Sequence, residues 1–313
     1  MASQPKEDLQ NIQHRPIVRV GDTVRRPSGW WTPAVRALLQ HLRDVGFAYA
    51  PRPGGIDSEG REVLSYVAGE SGATGWYRIH SEQGLRRFAT LLREYHEAVE
   101  DFQPSPDLAW AVHPSDPQEL VCHNDFGPWN LVYDGDEPVG ILDWDFAAPG
   151  PRMNDIAYAL EYAVPFRDDA TELSWHHFAE VPDRRARLEV FADAYGLTDT
   201  AGLVDDVIDR QRLTIRHVEE LAARGLEPQT TWVGDGTLDE SRRLVAWAED
   251  NRNLFTQDRP MPTKWLGTSV TDNTIIGRPK ASSAFDDAAG LLVAVRQSGE
   301  QSEDCVDDSA ERT

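Results

Sequence analysis

The feature that most constrains the fold is a pair of short motifs joined by a predicted β-hairpin. Residues 123–130 read HNDFGPWN, and residues 141–145 read ILDWD. An apolar strand leads into the first motif, and two apolar segments flank the turn DGDEP between the motifs. Because the two strands of a hairpin lie side by side, Asp125, Asn130 and Asp143 are expected to meet at one edge of the sheet.

These three residues supply the groups that phosphoryl transfer requires. A carboxylate at Asp125 can accept the proton of a substrate hydroxyl, and Asn130 and Asp143 offer the hard oxygen ligands that Mg²⁺ prefers. Asp and Asn are also common in ordinary turns, so an isolated HxD motif would carry little information. The joint pattern of HxD, a following asparagine, two strands around a turn, and DxD is much rarer. It indicates magnesium-dependent phosphoryl transfer.

The stretch that carries this pattern, HNDFGPWNLVYDGDEPVGILDWDFAAPGPRMNDIAYAL, resembles the core of the aminoglycoside phosphotransferase and choline kinase family. Members of that family are small-molecule relatives of the protein kinases. The resemblance implies an α+β, bilobal, protein-kinase-like fold with a small β-rich N-terminal lobe and a larger, mainly helical C-terminal lobe. It also implies ATP or GTP as the co-substrate and Mg²⁺ as the cofactor.

The resemblance assigns roles to individual residues. Asp125 is the catalytic base, and Asn130 and Asp143 are magnesium ligands. Asp145 is either a carboxylate behind those ligands or a ligand of a second metal ion. Asp155 matches a position that braces the catalytic loop, and it is equally compatible with a plain N-cap of the next helix.

The predicted small lobe departs from the family pattern on its nucleotide side. Residues 9–17 contain no glycine, whereas family members usually cover the phosphates with a glycine-containing loop. The strand of the first hairpin ends in Arg25 and Arg26, and we favour Arg25 as the residue that contacts the phosphates. Two solvated arginines at a strand end are the alternative interpretation. The helix expected at residues 32–44 has no glutamate that could orient that arginine.

The predicted organisation follows from the kinase-like pattern. The expected units are a disordered N-terminus at 1–14, a small nucleotide-binding lobe with hinge at 15–70, a helical lobe at 71–256 containing the catalytic hairpin 120–145, and a mostly disordered acidic tail at 257–313. The hinge is expected to bind adenine through backbone groups of Ser65, Tyr66 and Val67.

Composition limits the partners of the chain. Its formal net charge of −22 disfavours nucleic acid and fits a hydroxylated small molecule that carries positive charge. No segment approaches the roughly 20 apolar residues that span a bilayer. The polar start and the two cysteines, Cys122 and Cys305, lead us to expect a cytoplasmic protein without a disulfide.

Three hypotheses therefore remain open from the sequence. The favoured one is a small-molecule kinase, acting as a monomer or a weak homodimer. The second is a catalytically degenerate pseudokinase that binds a ligand or a partner protein. The third is a magnesium-dependent phosphoesterase, which would need more carboxylates and histidines around two metal ions than this loop offers.

Overall fold

The N-terminal part of the protein is a five-stranded antiparallel sheet. The computed structural model describes residues 6–12, 15–170 and 178–256. The five strands are β1 (Lys6–Ile12), β2 (Arg15–Val20), β3 (Thr23–Arg26), β4 (Pro53–Ile56) and β5 (Glu62–Ser65). Their order in the sheet is β1-β2-β3-β5-β4, so the connection from β3 to β4 leaves the sheet and returns at its far edge.

The first two strands correct one prediction and support another. Within the N-terminus predicted to be disordered, Lys6–Ile12 forms β1 and pairs with β2. This segment is polar and has no hydrophobic alternation, so only its backbone pairing across β2 reveals a strand. The predicted hairpin of β2 and β3 is confirmed, with Gly21 at φ 60° in its turn.

The helix between β3 and β4 is α1 (Thr32–Asp44), as its apolar periodicity predicts. A proline lies in its first turn, and its apolar face is buried. Gly46 follows it at φ 80°. Residues 47–50 form a turn that contacts the hairpin of residues 131–141, because the Ile141 N–H donates to the Tyr49 carbonyl at 2.7 Å.

The predicted catalytic hairpin is present. Its strands are β7 (Leu131–Asp134) and β8 (Glu137–Ile141), and a separate strand pair joins β6 (Leu120–Cys122) to β9 (Ala148–Gly150). Leu131 pairs with Ile141, and the Leu142 N–H donates to the Asn130 carbonyl at 2.7 Å. The register therefore brings the two sequence motifs together.

Helices make up most of the C-terminal part. They are α2 (Gly75–Arg78), α3 (Glu82–Ala98), α4 (Met153–Ala163), α5 (Arg184–Tyr195), α6 (Leu203–Ala223), α7 (Gln229–Asp235), α8 (Thr237–Asp250) and α9 (Asn253–Thr256). Helix α8 ends before Asn251, and α9 begins two residues after it. The predicted tail at 257–313, with Cys305, lies outside the described residues.

One main hydrophobic core joins the sheet-rich and helical parts. It includes Leu38 and Leu64 from the first part and Phe88, Tyr158 and Phe191 from the second. The expected α+β class is therefore confirmed. Across the described residues, no helix combines the length and apolar character needed to cross a bilayer.

Candidate functional site

The loop that carries HNDFGPWN is held by Asp155 on α4. The Asp155 carboxylate accepts the backbone N–H groups of His123 at 2.7 Å and Asn124 at 2.6 Å. The Nε2 atom of His96 on α3 lies 3.1 Å from the same carboxylate. Arg152 occupies the N-cap position of α4. Asp155 therefore braces the loop and does not cap the helix.

The protonation states of Asp155 and His96 follow from their burial and their hydrogen bonds. Burial favours the neutral form of Asp155, but the hydrogen bonds from His96 and from the His123 N–H outweigh burial and lower its pKa. Burial also lowers the pKa of His96. A neutral His96 can donate from Nε2 to Asp155 while Nδ1 accepts the Tyr195 hydroxyl at 2.7 Å. The loop is thus tied to both α3 and α5.

Asp125 lies at the centre of the loop and is fully buried. Its Oδ1 accepts the Tyr158 hydroxyl at 2.5 Å, and its Oδ2 accepts Asn130 Nδ2 at 2.8 Å. Burial and the nearby Asp143 raise its pKa, while the hydrogen bonds from Tyr158 and Asn130 and the charge of Arg210 lower it; the net shift is upward. Two donors thus hold the two oxygens of Asp125 in a site from which water is largely excluded.

Asn130, Asp143 and Asp145 lie beside this carboxylate. The Asn130 side-chain NH₂ faces Asp125, so its amide oxygen points away from it. Asp143 has a left-handed backbone at φ 59° and starts the short turn that carries Asp145. No group of three or more His, Cys, Asp or Glu side chains within the described residues is arranged to hold a metal ion. A divalent ion here would use the amide oxygen, the two carboxylates and phosphate oxygens, a set that suits Mg²⁺.

A buried arginine from the sheet completes the cluster. Arg26 Nη2 lies 2.6 Å from Asp145 Oδ1, and Nη1 lies 3.8 Å from Asp143 Oδ1. Its Nε donates to Glu62 Oε2 at 2.7 Å. Burial by itself lowers the pKa of Arg26, but the charges of Asp145, Glu62 and Asp143 raise it above its ordinary value. Arg26 is therefore a permanent cation at the edge of the DxD motif.

The structure brings Arg26 to these carboxylates and places the favoured Arg25 elsewhere. Successive residues of a strand point to opposite faces of the sheet, so only one of the two can face the cluster. Arg25 Nε lies 3.6 Å from Asp57 Oδ2. The role first assigned to Arg25 therefore passes to Arg26 as a hypothesis. The sequence could not decide this, because the register of a short strand was not fixed.

Glu62 takes the position of the glutamate that is missing from α1. It stands directly opposite Arg26 in the pairing of β3 with β5, and it is fully buried. The carboxylate that pairs with Arg26 therefore lies on the neighbouring strand β5 and not on helix α1. A signal for it existed in the sequence, since a glutamate in a predicted apolar strand is unusual and calls for a cationic partner.

The hinge residues lie where β5 leaves the sheet. The N–H of Ser65 donates to the Arg52 carbonyl, and that of Tyr66 donates to the Asp22 carbonyl, both at 2.9 Å. Val67 follows directly along the chain. Adenine binding at the hinge stays a prediction, and it would have to use the carbonyl groups or the backbone of Val67.

Sequence reasoning did not identify Tyr158 and Arg210. Arg210 Nη2 donates to the Asn124 carbonyl at 2.8 Å, and its guanidinium carbon lies 4.7 Å from the centre of the Tyr158 ring. Arg210 shares the buried face of α6 with Val207 and Thr214, and an arginine on such a face is a signal in the sequence. Its target could not be deduced without the tertiary structure.

Comparisons with known proteins agree with this geometry. The sequence model of the phosphotransferase enzyme family, APH, matches residues 103–196. The trifolitoxin immunity protein of Rhizobium leguminosarum bv. trifolii is 33% identical over 201 residues, which cover 61% of this chain and 75% of that relative. The chain belongs to the phosphotransferase enzyme family. The resemblance seen in the sequence is thereby confirmed.

Solved structures of phosphotransferases share the fold. Amicoumacin kinase hAmiN, in complex with AMP-PNP, Ca²⁺ and Ami, has a TM-score of 0.53 at 13% identity, covering 81% of this chain and 90% of that one. An aminoglycoside phosphotransferase mutant in its GDP complex has a TM-score of 0.50 at 15% identity, covering 80% and 93%. The predicted bilobal, protein-kinase-like fold is therefore confirmed.

Membership of the phosphotransferase family also supports a general activity. It supports transfer of a phosphoryl group to a small molecule, with a nucleotide as the co-substrate.

Proposed function

We propose that this protein transfers the γ-phosphoryl group of ATP or GTP to a hydroxyl group of a small molecule. The observation that carries the proposal is a cluster of five polar residues at the end of the hairpin, in which Asn130 bonds to Asp125 and Arg26 pairs with Asp143 and Asp145. All of them except Asp143 are buried. We also propose that the protein acts as a monomer or a weak homodimer. Dependence on a nucleotide supports a cytoplasmic location.

In the proposed reaction, the acceptor hydroxyl donates a hydrogen bond to Asp125. The hydroxyl oxygen attacks the γ-phosphorus, and the bond from that phosphorus to the bridging oxygen of the nucleotide breaks. The electrons of that bond leave with the nucleoside diphosphate, and the hydroxyl proton passes to Asp125. Positioning and charge neutralisation supply most of the catalysis in such a reaction.

We assign the metal ligands to Asn130, Asp143 and Asp145. A bound Mg²⁺ would neutralise charge on the nucleotide phosphates. Arg26 supports the same function from the sheet, because its guanidinium already lies at the DxD carboxylates and carries donors suited to phosphate oxygens. In this proposal the small lobe extends from β1 to the hinge at residue 70, and residues 71–256 form the catalytic lobe.

We place the acceptor beside Asp125, against a group of aromatic rings. The ring centres of Trp129 and Tyr162 are 4.7 Å apart, and those of Trp129 and Tyr158 are 6.4 Å apart. These rings pack against one another inside the protein, and it is the net charge of −22 that favours a positively charged acceptor.

A second candidate function is binding without turnover. It is favoured by the absence of glycine from residues 9–17 and by the relative whose name describes immunity to trifolitoxin. Immunity to a toxin can arise through chemical modification of the toxin or through its sequestration. By analogy, a hydroxylated antibiotic or toxin is a natural class of acceptor to test for this chain.

The deciding experiment is isothermal titration calorimetry of MgATP and MgGTP with the wild type and Asp143→Ala. We expect the wild type to bind one of the nucleotides and the variant to lose at least about tenfold in affinity, since a charged ligand to the metal is removed. An exposed carboxylate, Asp205, provides the matched control variant Asp205→Ala.

A mass-spectrometric screen of hydroxylated acceptors with the preferred nucleotide then follows, with Asp125→Ala as the inactive variant. Formation of a phosphorylated product by the wild type and not by Asp125→Ala would establish the kinase function. Nucleotide-independent binding of an acceptor without any product would favour the binding protein.

A further inference from the structure

The proposed base is held by a hydrogen-bond donor on each of its oxygens. Asp125 Oδ1 accepts the Tyr158 hydroxyl at 2.5 Å, and Oδ2 accepts Asn130 Nδ2 at 2.8 Å. A carboxylate oxygen has two lone pairs, so one acceptor site on each oxygen stays available for a substrate. The two donors together fix the plane of the carboxylate and hence the direction of those free lone pairs.

Tyr158 is itself firmly held. Its side chain is fully buried, and the Arg210 guanidinium carbon lies 4.7 Å from its ring centre. The same guanidinium donates to the carbonyl of Asn124, the residue before Asp125. On α4 the next aromatic ring, Tyr162, has its centre 5.1 Å away. The phenol therefore cannot leave Asp125 without opening a packed part of the core.

The Tyr158 hydroxyl also has the right chemistry for a permanent donor. Burial and the neighbouring Asp125 carboxylate raise its pKa well above the ordinary value of a phenol. The hydroxyl stays protonated wherever the protein is folded, and its proton points at Oδ1. Asp143, by contrast, repels the charge of Asp125, so the carboxylate depends on its donors for orientation.

We propose that Tyr158 is a positioning residue, whose hydroxyl holds the Asp125 carboxylate so that a free lone pair faces the acceptor hydroxyl. Arg210 fixes Tyr158 in turn, by contact with its ring and by its bond to the loop. The proposal rests on the function proposed above for Asp125. The competing idea is that the phenol occupies the place of the acceptor hydroxyl and must leave before turnover.

Kinetics of Tyr158→Phe separate these two ideas. The probe is MgATP with water as the acceptor, measured as ADP release under saturating and limiting nucleotide. We expect kcat to fall about tenfold to a hundredfold, because Asp125 is no longer held in the correct orientation. The KM for ATP should change less than about twofold. An unchanged or raised kcat would mean that the phenol is an obstacle, and it would overturn the proposal.

Tyr133→Phe is the matched control. Its hydroxyl is also buried in the catalytic hairpin, and within the described residues it has no hydrogen-bond partner. We therefore expect Tyr133→Phe, which loses a hydroxyl that bonds to no other group in the described part of the chain, to keep the kcat of the wild type. An equal loss of kcat in both phenylalanine variants would show a general packing effect and would contradict the positioning role.

Asp125→Asn separates failure of this proposal from failure of the kinase function. If Asp125→Asn turns over MgATP as fast as the wild type, the proposed base is wrong. If Asp125→Asn is slow and Tyr158→Phe is normal, only the positioning role is wrong.

A structural measurement covers the case in which water is too poor an acceptor for kinetics. Crystal structures of the wild type and Tyr158→Phe with a non-hydrolysable ATP analogue would report the orientation of Asp125 directly. We expect its carboxylate to rotate about its side-chain bond when the phenol oxygen is removed. The same orientation in both structures would overturn the proposal.

Discussion

The loop that carries HNDFGPWN and the end of the small sheet at Arg26 reach the same cluster by different means. The loop is held by helix α4, where the carboxylate of Asp155 accepts two backbone N–H groups of the loop. The sheet end contributes a single arginine, Arg26, which is supported by Glu62 on the adjacent strand. The loop is thus held by a helix residue, Asp155, while the arginine of the sheet is held by a residue of the neighbouring strand, Glu62.

The largest expected effect is a loss of stability when Asp155, which holds the loop in place, is replaced. Asp155→Ala removes the acceptor of the His123 and Asn124 N–H groups and leaves these donors buried. We expect the free energy of unfolding to fall by about 3 to 5 kcal/mol, measured by urea denaturation. Asp205→Ala, which breaks an exposed ion pair with Arg252, should cost less than about 1 kcal/mol. Similar losses in the two variants would contradict the bracing role.

The next effect tests the nucleotide side. Arg26→Lys keeps the positive charge but loses the planar fork that contacts several oxygens at once. We expect its affinity for MgATP, measured by calorimetry, to fall about tenfold to a hundredfold. Arg25→Lys is the matched control one residue away and should stay within about twofold of the wild type. A larger loss in Arg25→Lys would restore Arg25 as the phosphate contact.

The stability of the protein should also depend on pH, because of the buried His217 on helix α6. Burial and the charges of Arg210, Arg216 and His113 lower the pKa of His217 to about 3. An unfolded histidine titrates near 6.5, so the unfolded chain binds the extra proton first. The stability contributed by neutral His217 is therefore complete above about pH 6.5 and is lost as the pH falls toward 3.

Urea denaturation at pH 7 and pH 5 measures this contribution. We expect the unfolding free energy of the wild type to fall about 2 kcal/mol more over this interval than that of His217→Gln. Parallel losses in the two proteins would show that His217 is protonated as readily in the folded state as in the unfolded state.

The smallest expected effect concerns the support of Arg26. Glu62→Gln keeps an oxygen opposite the guanidinium but removes the charge, so Arg26 is less firmly directed. We expect the affinity for MgATP to fall about threefold to tenfold, less than in Arg26→Lys. The exposed Glu59 gives a control, Glu59→Gln, with unchanged affinity. An unaffected Glu62→Gln would mean that the strand partner is dispensable.

Local patterns predicted much of this fold because they are caused by local chemistry. The apolar residues between positions 81 and 102 recur at helical spacing, and the structure has helix α3 there at Glu82–Ala98, with Ser81 accepting the Gly84 N–H as its cap. The catalytic hairpin was predictable for the same reason, since strand, turn and strand alternate within a short stretch. Where a side chain and its partner are close together along the chain, a short stretch of sequence is enough to predict their contact.

The parts that escaped prediction depend on partners distant in sequence. Strand β1 is polar and exists through pairing with β2. The choice between Arg25 and Arg26 depends on one residue of register in a four-residue strand. Tyr158 reaches Asp125 only because α4 packs over the loop. Neither alternation nor helical periodicity encodes such contacts.

The pairing of Arg26 with Glu62 has a consequence for regulation. In protein kinases the corresponding ion pair spans a strand and a helix, so movement of that helix can switch the enzyme off. Here the two residues face each other across hydrogen-bonded strands. A displacement of α1 would leave the pair intact, and only rupture of the sheet would separate it. In the proposed kinase, Arg26 would therefore keep its partner whatever the position of α1.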